Sequence, residues 1–190
     1  MKGVNIFLAD GFEDTEALAT NDVLRRAGIR TNLIAISDDP FVVSSRGITI
    51  GVEEFLSDAD LSAESTTLHD VMVFPGGQPG TSNLAACKPL IKAMKAHYAA
   101  GGTVAAICAA PGFVLGQLDC WDGKVFTCFD GCEELPASKG GMFVPKPAIT
   151  DGQLITGRSA GHSIAFGLEI VKRVKGDEAA AKVAYSMFLG

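Results

Sequence analysis

The chain has 190 residues and a mass of 19.8 kDa, which suits one domain with a sizeable hydrophobic core. Hydrophobic residues make up 47% and charged residues 20% of the sequence, a balance that excludes a disordered or low-complexity protein. The net charge of −6 argues against a surface for nucleic acid or for an anionic membrane.

No apolar run reaches the roughly 18 residues of a membrane span. The five cysteines lack a CxxC pair and indicate reduced thiols. We therefore expect a single cytoplasmic domain over residues 1–190.

Strand and helix patterns alternate along the chain. Short apolar runs bounded by turn residues predict strands at 4–8, 31–36, 71–74, 103–107 and 125–128. Runs with one apolar face predict helices at 14–26, 89–99, 110–118, 163–174 and 177–188. Residues 42–52 suggest a small hairpin, and Asp151-Gly152 joins a second one from 148–150 to 153–156. Residues 61–69 show no clear period.

This alternation implies a mainly parallel sheet covered by helices on both faces. Ligands of such sheets bind where the carboxyl ends of strands meet the amino ends of helices. Four turns should lie at that edge: residues 10–16, 75–80, 107–111 and 157–162.

Cys108 lies directly between a predicted buried strand and a helix. The positive end of a helix dipole favours a thiolate, which is a competent nucleophile. The alternative is an inert cysteine, because free cysteine is among the most buried residue types. The other cysteines, Cys87, Cys120, Cys128 and Cys132, have weaker claims.

Two further features lie at the same edge. The backbone amides of Pro75-Gly76-Gly77 could hold an oxyanion, or the glycines could simply relieve crowding in a tight turn. The segment matches neither GxGxxG nor a P-loop, so no nucleotide cofactor is expected. Glu16 belongs to an acidic first helical turn that either offsets the helix dipole or turns inward. An inward carboxyl near Cys108 would have a raised pKa and could donate a proton.

Residues 157–161 (GRSAG) match the G-x-S-x-G elbow of serine hydrolases, which need an acidic residue and then a histidine later in the chain. The last histidine is His162, so that order fails. Of the other histidines, His97 is expected to face solvent and His69 to lie in a loop, whereas His162 could approach the site. A zinc site from Cys128, Cys132 and His162 matches no common spacing, and no metal is expected.

Five segments in this order resemble the ThiJ/PfpI superfamily, in the branch that contains the Parkinson-linked protein deglycase and its bacterial relatives. They are residues 9–16 (ADGFEDTE), 22–28 (DVLRRAG), 73–77 (VFPGG), 105–111 (AAICAAP) and 157–161 (GRSAG). Each motif is weak alone, and the set is specific.

The resemblance implies a flavodoxin-like three-layer α/β/α sandwich with a mainly parallel sheet, a cysteine nucleophile elbow and usually a homodimer. Cys108 would be the nucleophile and Glu16 the protonated carboxyl beside it. The resemblance also implies an oxyanion site at Gly76, Gly77 and Ala109. It implies a pocket wall at Ser159, Ala160 and Gly161. Arg26 and Arg46 match arginines near the dimer interface.

Two positions depart from the family pattern. Ala109 stands where the cysteine peptidases of the superfamily have a histidine, which argues against a peptidase. Cys128 stands where the deglycase branch often has a histidine, so this chain has a possible second thiol and no obvious imidazole base there.

The resemblance favours an enzyme acting on small reactive aldehydes in stress protection. It would be a glyoxalase that works without glutathione, or a deglycase of glycated thiols and amines. The alternative is a redox-sensing stress-response protein in which Cys108 is oxidised to a sulfinate with little turnover. A purely structural or interaction role is the third reading, and an unreactive Cys108 would favour it.

Overall fold

The computed structural model describes residues 1–52, 54–64 and 66–189. Its strands are β1 (Val4–Leu8), β2 (Thr31–Ala35), β3 (Phe41–Val43), β4 (Thr49–Gly51), β5 (Glu54–Phe55), β6 (Val71–Phe74), β7 (Thr103–Ile107), β8 (Val125–Phe126), β9 (Met142–Phe143), β10 (Ala148–Asp151) and β11 (Leu154–Gly157). Its helices are α1 (Asp14–Arg26), α2 (Gly80–Ala86), α3 (Lys88–Ala99), α4 (Ala110–Phe113), α5 (Glu134–Ser138), α6 (Ser163–Lys175) and α7 (Asp177–Ser186), with 3₁₀ turns at Leu115–Gln117 and Ala160–His162.

Seven strands form one sheet in the order β10-β11-β7-β6-β1-β2-β5. The pairs from β11 to β5 are parallel, and β10 joins the edge antiparallel to β11. Every residue of β1, β6 and β7 is buried, because helices cover both faces of the sheet. This arrangement confirms the predicted flavodoxin-like α/β class.

Two apolar layers hold the helices to the sheet. On one face, α2 and α3 pack on Phe7 and Phe74, whose rings stack at 5.4 Å between centroids. On the other face, α1 and α6 pack on the sheet through residues such as Leu24 and Phe166. A Cβ added to Gly167 of α6 would lie 3.0 Å from Val23 Cβ of α1, so the glycine allows the two helices to approach closely.

Both predicted hairpins are confirmed, as β3–β4 and β10–β11. The helix predicted at 110–118 is wrong in length, since α4 ends at Phe113 and a separate 3₁₀ turn follows. Sequence patterns missed α2, α5 and β9, which are too brief to show a period, whereas the strand predicted at 125–128 is present as the shorter β8. The described part of 61–69 contains no helix or strand, and residue 65 lies outside the described residues.

His97 was predicted to face solvent, and this prediction is wrong. Its side chain is 1% exposed, on the inward face of α3 with Leu90 and Met94. Its Nε2 lies 3.0 Å from the Asp70 carbonyl oxygen and 3.2 Å from that of Thr103. Burial lowers the pKa of His97, so the neutral ring serves as a structural hydrogen-bonding group between two strand ends.

No helix within the described ranges combines the length and the apolar character needed to cross a bilayer.

Candidate active site

The four turns singled out in the sequence meet at one edge of the sheet. Backbone hydrogen bonds join them: Glu13 N donates to Gly76 O at 2.9 Å, and Cys108 N donates to Gly157 O at 3.0 Å. The loop that follows β8 also reaches the site, since Phe129 N donates to Cys108 O at 2.7 Å. The backbone around Cys108 is therefore fixed from two sides before any side chain is considered.

Cys108 forms an elbow between β7 and α4. Its φ of 64° is in the left-handed region, where residues other than glycine carry strain. Among the described residues, Phe188 near the end of the chain is the other non-glycine residue with positive φ. The half-buried thiol leaves the sheet edge at a turn that the surrounding hydrogen bonds maintain, and this geometry agrees with the expected elbow.

Glu16 turns inward from the first turn of α1 and is 1% exposed. Its Oε2 accepts a hydrogen bond from Gly76 N at 2.7 Å. The N-cap residue Glu13 fixes the start of the helix by accepting from Glu16 N at 2.8 Å. Glu16 Oε1 is buried without an N–H or O–H donor in the described structure, and the carboxyl interacts with the thiol of Cys108.

Gly76 brings the cysteine and the carboxyl together. A Cβ on Gly76 would lie 2.7 Å from both Cys108 Cβ and Glu16 Oε2, and 3.2 Å from Cys108 Sγ. A side chain cannot be accommodated there without moving one of the two reactive groups. Glycine at position 76 is therefore required by the contact itself, beyond its role in the turn.

Burial dominates the electrostatics of the pair. It raises the pKa of Glu16 to about 7, against the opposing hydrogen bonds from Cys108 and Gly76. Burial also raises the pKa of Cys108, the negative charge of Glu16 raises it further, and the Ala109 N–H lowers it. Because burial and mutual repulsion both disfavour negative charge, the thiol keeps its proton and the carboxyl titrates near neutral pH.

The expectation that helix position alone favours a Cys108 thiolate is wrong. Helix α4 has only four residues, so its dipole is small compared with the cost of burying a charge. The proton balance of the pair decides the state of the thiol. While Glu16 is ionised the thiol keeps its proton, and Glu16 can accept that proton as the sulfur attacks.

The predicted oxyanion residues have different roles. The Gly76 amide is already engaged by Glu16, so its expected part in an oxyanion site is wrong. The Gly77 amide, at φ 88°, has no acceptor within the described residues, and the Ala109 amide faces the Cys108 sulfur. These two amides are the ones that a developing oxyanion could use.

Residues 159–161 form a turn directly after β11, the neighbour of the cysteine-bearing strand. Ser159 and Ala160 are half-buried and Gly161 is exposed. The turn packs against α1 and α6, and Ser159 Oγ lies 2.9 Å from Nδ1 of His162. Sequence reasoning missed this pair, although the i, i+3 spacing after a strand was the available signal.

Arg26 and Arg46, the two arginines expected near a dimer interface, belong to different elements of the fold. Arg26 pairs with Asp22 at 2.6 Å on the exposed end of α1, ten residues from Glu16 and so about 15 Å along the helix. Arg46 is exposed at the tip of the β3–β4 hairpin. That hairpin is anchored at the site, because Ser44 Oγ donates to Asp14 Oδ1 at 2.6 Å.

Cys128 is fully buried in the apolar cluster that also includes residues of α2 and α3, and burial raises its pKa to about 12. The packing makes it a core residue. In the described residues, no three histidine, cysteine or acidic side chains lie close enough together to hold a metal ion.

A doubly wound α/β sheet with a cysteine elbow beside a buried carboxyl defines a class of flavodoxin-like proteins with a thiol at the carboxyl edge of the sheet. Residues 2–173 match the DJ-1/PfpI family, and the chain belongs to this family.

Relatives extend over nearly the whole chain. Protein dj-1beta of Drosophila melanogaster is 30% identical over 188 residues, covering 99% of this chain and 97% of the relative. The glutathione-independent glyoxalase DJR-1.2 of Caenorhabditis elegans is 28% identical, covering 87% and 84%. Protein DJ-1 homolog B of Arabidopsis thaliana is 32% identical over 96% of this chain, which spans only 40% of that longer relative.

Solved structures agree with the fold. The crystal structure of a cysteine-to-alanine mutant of a DJ-1 superfamily protein from Salmonella typhimurium superposes with a TM-score of 0.87 at 32% identity, covering both chains fully. The structure of Drosophila DJ-1beta superposes with a TM-score of 0.86 at 29% identity, covering 100% of this chain and 98% of the other.

Proposed function

We propose that the protein is a cytoplasmic, cysteine-dependent enzyme that converts small 2-oxoaldehydes to 2-hydroxy acids without glutathione. The observation that carries the proposal is the contact of Cys108, on its strained turn, with a buried Glu16 whose pKa is about 7. An acid–base group with a pKa near the working pH is suited to both accepting and returning a proton. The name of the C. elegans relative, a glutathione-independent glyoxalase, supports the same chemistry.

The first step is attack of Cys108 Sγ on the aldehyde carbon. Glu16 accepts the thiol proton, the new oxyanion is stabilised by the amides of Gly77 and Ala109, and Glu16 then returns the proton to this oxygen to give a hemithioacetal. Glu16 then moves a proton from C1 to C2 through an enediol, giving a thioester of the 2-hydroxy acid. Hydrolysis of the thioester releases the acid and restores the thiol. Attack on a glycated thiol or amine by the same sulfur would be the deglycase reaction.

Turnover of methylglyoxal to lactate tests the proposal. Cys108→Ser should reduce the reaction to background, because a serine hydroxyl beside Glu16 is a much weaker nucleophile than the thiol. Cys87→Ser, at the junction of α2 and α3, is the matched control and should retain full turnover. A Cys108→Ser variant with wild-type activity would contradict the proposal.

A redox-sensing role is the second candidate, favoured by the pKa of about 7 that leaves part of Glu16 protonated near neutral pH. A protonated carboxyl could donate a hydrogen bond to a Cys108 sulfinate and so select that oxidation product. Intact mass after mild peroxide should then show two added oxygens at Cys108. Oxidation scattered over all five cysteines would count against this role.

We further propose a homodimer that includes the β3–β4 hairpin. Phe41, Val43 and Ile48 expose 59%, 42% and 52% of their surface there, next to Arg46. A contiguous apolar surface of this kind is typical of an interface. Light scattering should give twice the chain mass, and Val43→Glu should give the monomer. A wild-type monomer at micromolar concentration would contradict this assembly.

A further inference from the structure

Ser159 and His162 form a side-chain pair that the steps above do not use. The 3₁₀ turn Ala160–His162 folds the imidazole back on Ser159, with Oγ 2.9 Å from Nδ1. Both residues are half-buried. Nε2 of His162 has no hydrogen-bond partner in the part of the chain that the structure describes.

The pair lies at the cysteine edge of the sheet. Cys108 N donates to Gly157 O, so the segment that leaves β11 starts beside the elbow and then turns against α1, the helix of Glu16. Glu16 is 1% exposed, whereas His162 is half-buried and follows the exposed Gly161. The imidazole is therefore the more solvent-accessible of the two groups, and the carboxyl is the more deeply buried.

Other titratable groups at this edge are already engaged. Asp10 accepts a hydrogen bond from Val43 N, and Glu13 accepts one from Glu16 N. Asp14 accepts from Ser44 Oγ, and Asp130 accepts from Arg158. Of the other histidines, His97 is buried on two carbonyl oxygens and His69 Nδ1 lies 2.9 Å from the Arg173 carbonyl oxygen. His162 is left as the imidazole with an unengaged nitrogen at the site.

We propose that His162 is the general base for hydrolysis of the Cys108 thioester, with Ser159 as its positioning residue. The proposal rests on the proposed function and adds a residue to it. This role requires the tautomer in which Nδ1–H donates to Ser159 Oγ, which leaves a free lone pair on Nε2. Nε2 removes a proton from water while the water oxygen bonds to the thioester carbon. The C–S bond then breaks, the 2-hydroxy acid leaves, and the proton returns to the sulfur, so one water is consumed and no oxidant or reductant is needed.

The test is His162→Asn, because asparagine can keep a polar contact with Ser159 and has no basic nitrogen. Hydrolysis should slow by roughly 10²–10⁴-fold, the usual contribution of a general base. A methylglyoxal-derived adduct should then accumulate on Cys108 and be released by hydroxylamine as the hydroxamate of lactate. Added imidazole should restore part of the turnover. Ser159→Ala should lose several-fold in kcat, and His69→Ala, in an exposed loop, should match the wild type.

Wild-type kcat in His162→Asn would overturn the assignment. A slow variant without a hydroxylamine-sensitive adduct would overturn it as well, since the block would then precede the thioester. Failure of the proposed function looks different, because the wild type itself would then give neither lactate nor any adduct on Cys108.

Discussion

The floor and the rim of the site are built on different principles. The floor consists of Cys108, Glu16 and Gly76, in mutual contact and held by buried strand ends. The rim consists of half-buried or exposed turns held by side-chain hydrogen bonds, such as Ser159–His162 and Ser44–Asp14. Burial raises the pKa of Cys108 and of Glu16 at the floor, whereas hydrogen bonds fix the orientation of side chains at the rim. Changes at the floor should therefore disturb stability and chemistry together, and changes at the rim should separate the two.

The largest effect is expected from Gly76→Ala at the floor. The added methyl would lie 2.7 Å from Cys108 Cβ and from Glu16 Oε2, so one of them must move. Overpacking of this kind costs about 1–3 kcal/mol of unfolding free energy. Methylglyoxal turnover should fall by more than about 100-fold, since small misplacements of reacting groups are that costly. Denaturant unfolding and a turnover assay on the same sample check both parts, and normal activity would refute the close contact.

Glu16→Gln should remove a specific pH dependence of stability. The pKa of Glu16 is raised from 4.5 to about 7 by folding, so the folded state binds the proton more tightly than the unfolded state. The contribution of Glu16 to the free energy of unfolding is fully present below pH 4.5 and is lost as the pH rises through 7. The difference between the two limits is about 3 kcal/mol. Urea unfolding at pH 4.5 and pH 8 should show this loss in the wild type and not in the variant. Equal pH slopes would contradict the burial of an ionisable carboxyl.

Cys128→Ser tests whether the second thiol belongs to the core or to the chemistry. A hydroxyl buried without a partner costs about 1–3 kcal/mol of unfolding free energy. Turnover per folded molecule should stay at the wild-type level, because the Cys128 side chain is fully buried in the apolar core. A loss of kcat at unchanged stability would instead place Cys128 in the reaction.

The smallest effect is expected from Arg26→Ala. Its ion pair with Asp22 is exposed on both sides and joins residues four apart on a helix. Such pairs contribute about 0.3–0.5 kcal/mol. The change in thermal unfolding should be close to the error of the measurement, with turnover unaffected. A loss of turnover would show that Arg26 acts at a distance of several helical turns.

The sheet and the location of the floor could be predicted from the sequence, because short apolar runs next to glycine-rich turns have few other structures open to them. β1, β6 and β7 have the expected bounds. The state of the floor could not be predicted, since the pKa of Cys108 depends on contacts between residues 16, 76 and 108 that no local pattern reports. The prediction of an exposed His97 was wrong for a similar reason, because the hydrogen-bond partners of its ring belong to strand ends outside its own helix.

The rim was the least predictable part. Ser159 and His162 were both singled out from the sequence, one for an elbow motif and one for its position, without any sign that they bond to each other. The bond depends on the 3₁₀ turn between them, which is three residues long and has no periodic signal.

The most direct test of the account is the steady-state turnover of methylglyoxal by Glu16→Gln compared with the wild type. Glutamine can still accept from Gly76 N and keep the packing at the floor, but it cannot take the proton from Cys108. The account predicts a fall in kcat of roughly 10²–10⁴-fold, with KM changed much less. A variant with wild-type kcat would show that Cys108 reacts without its buried partner and would contradict the proton transfer from Cys108 to Glu16 on which the mechanism depends.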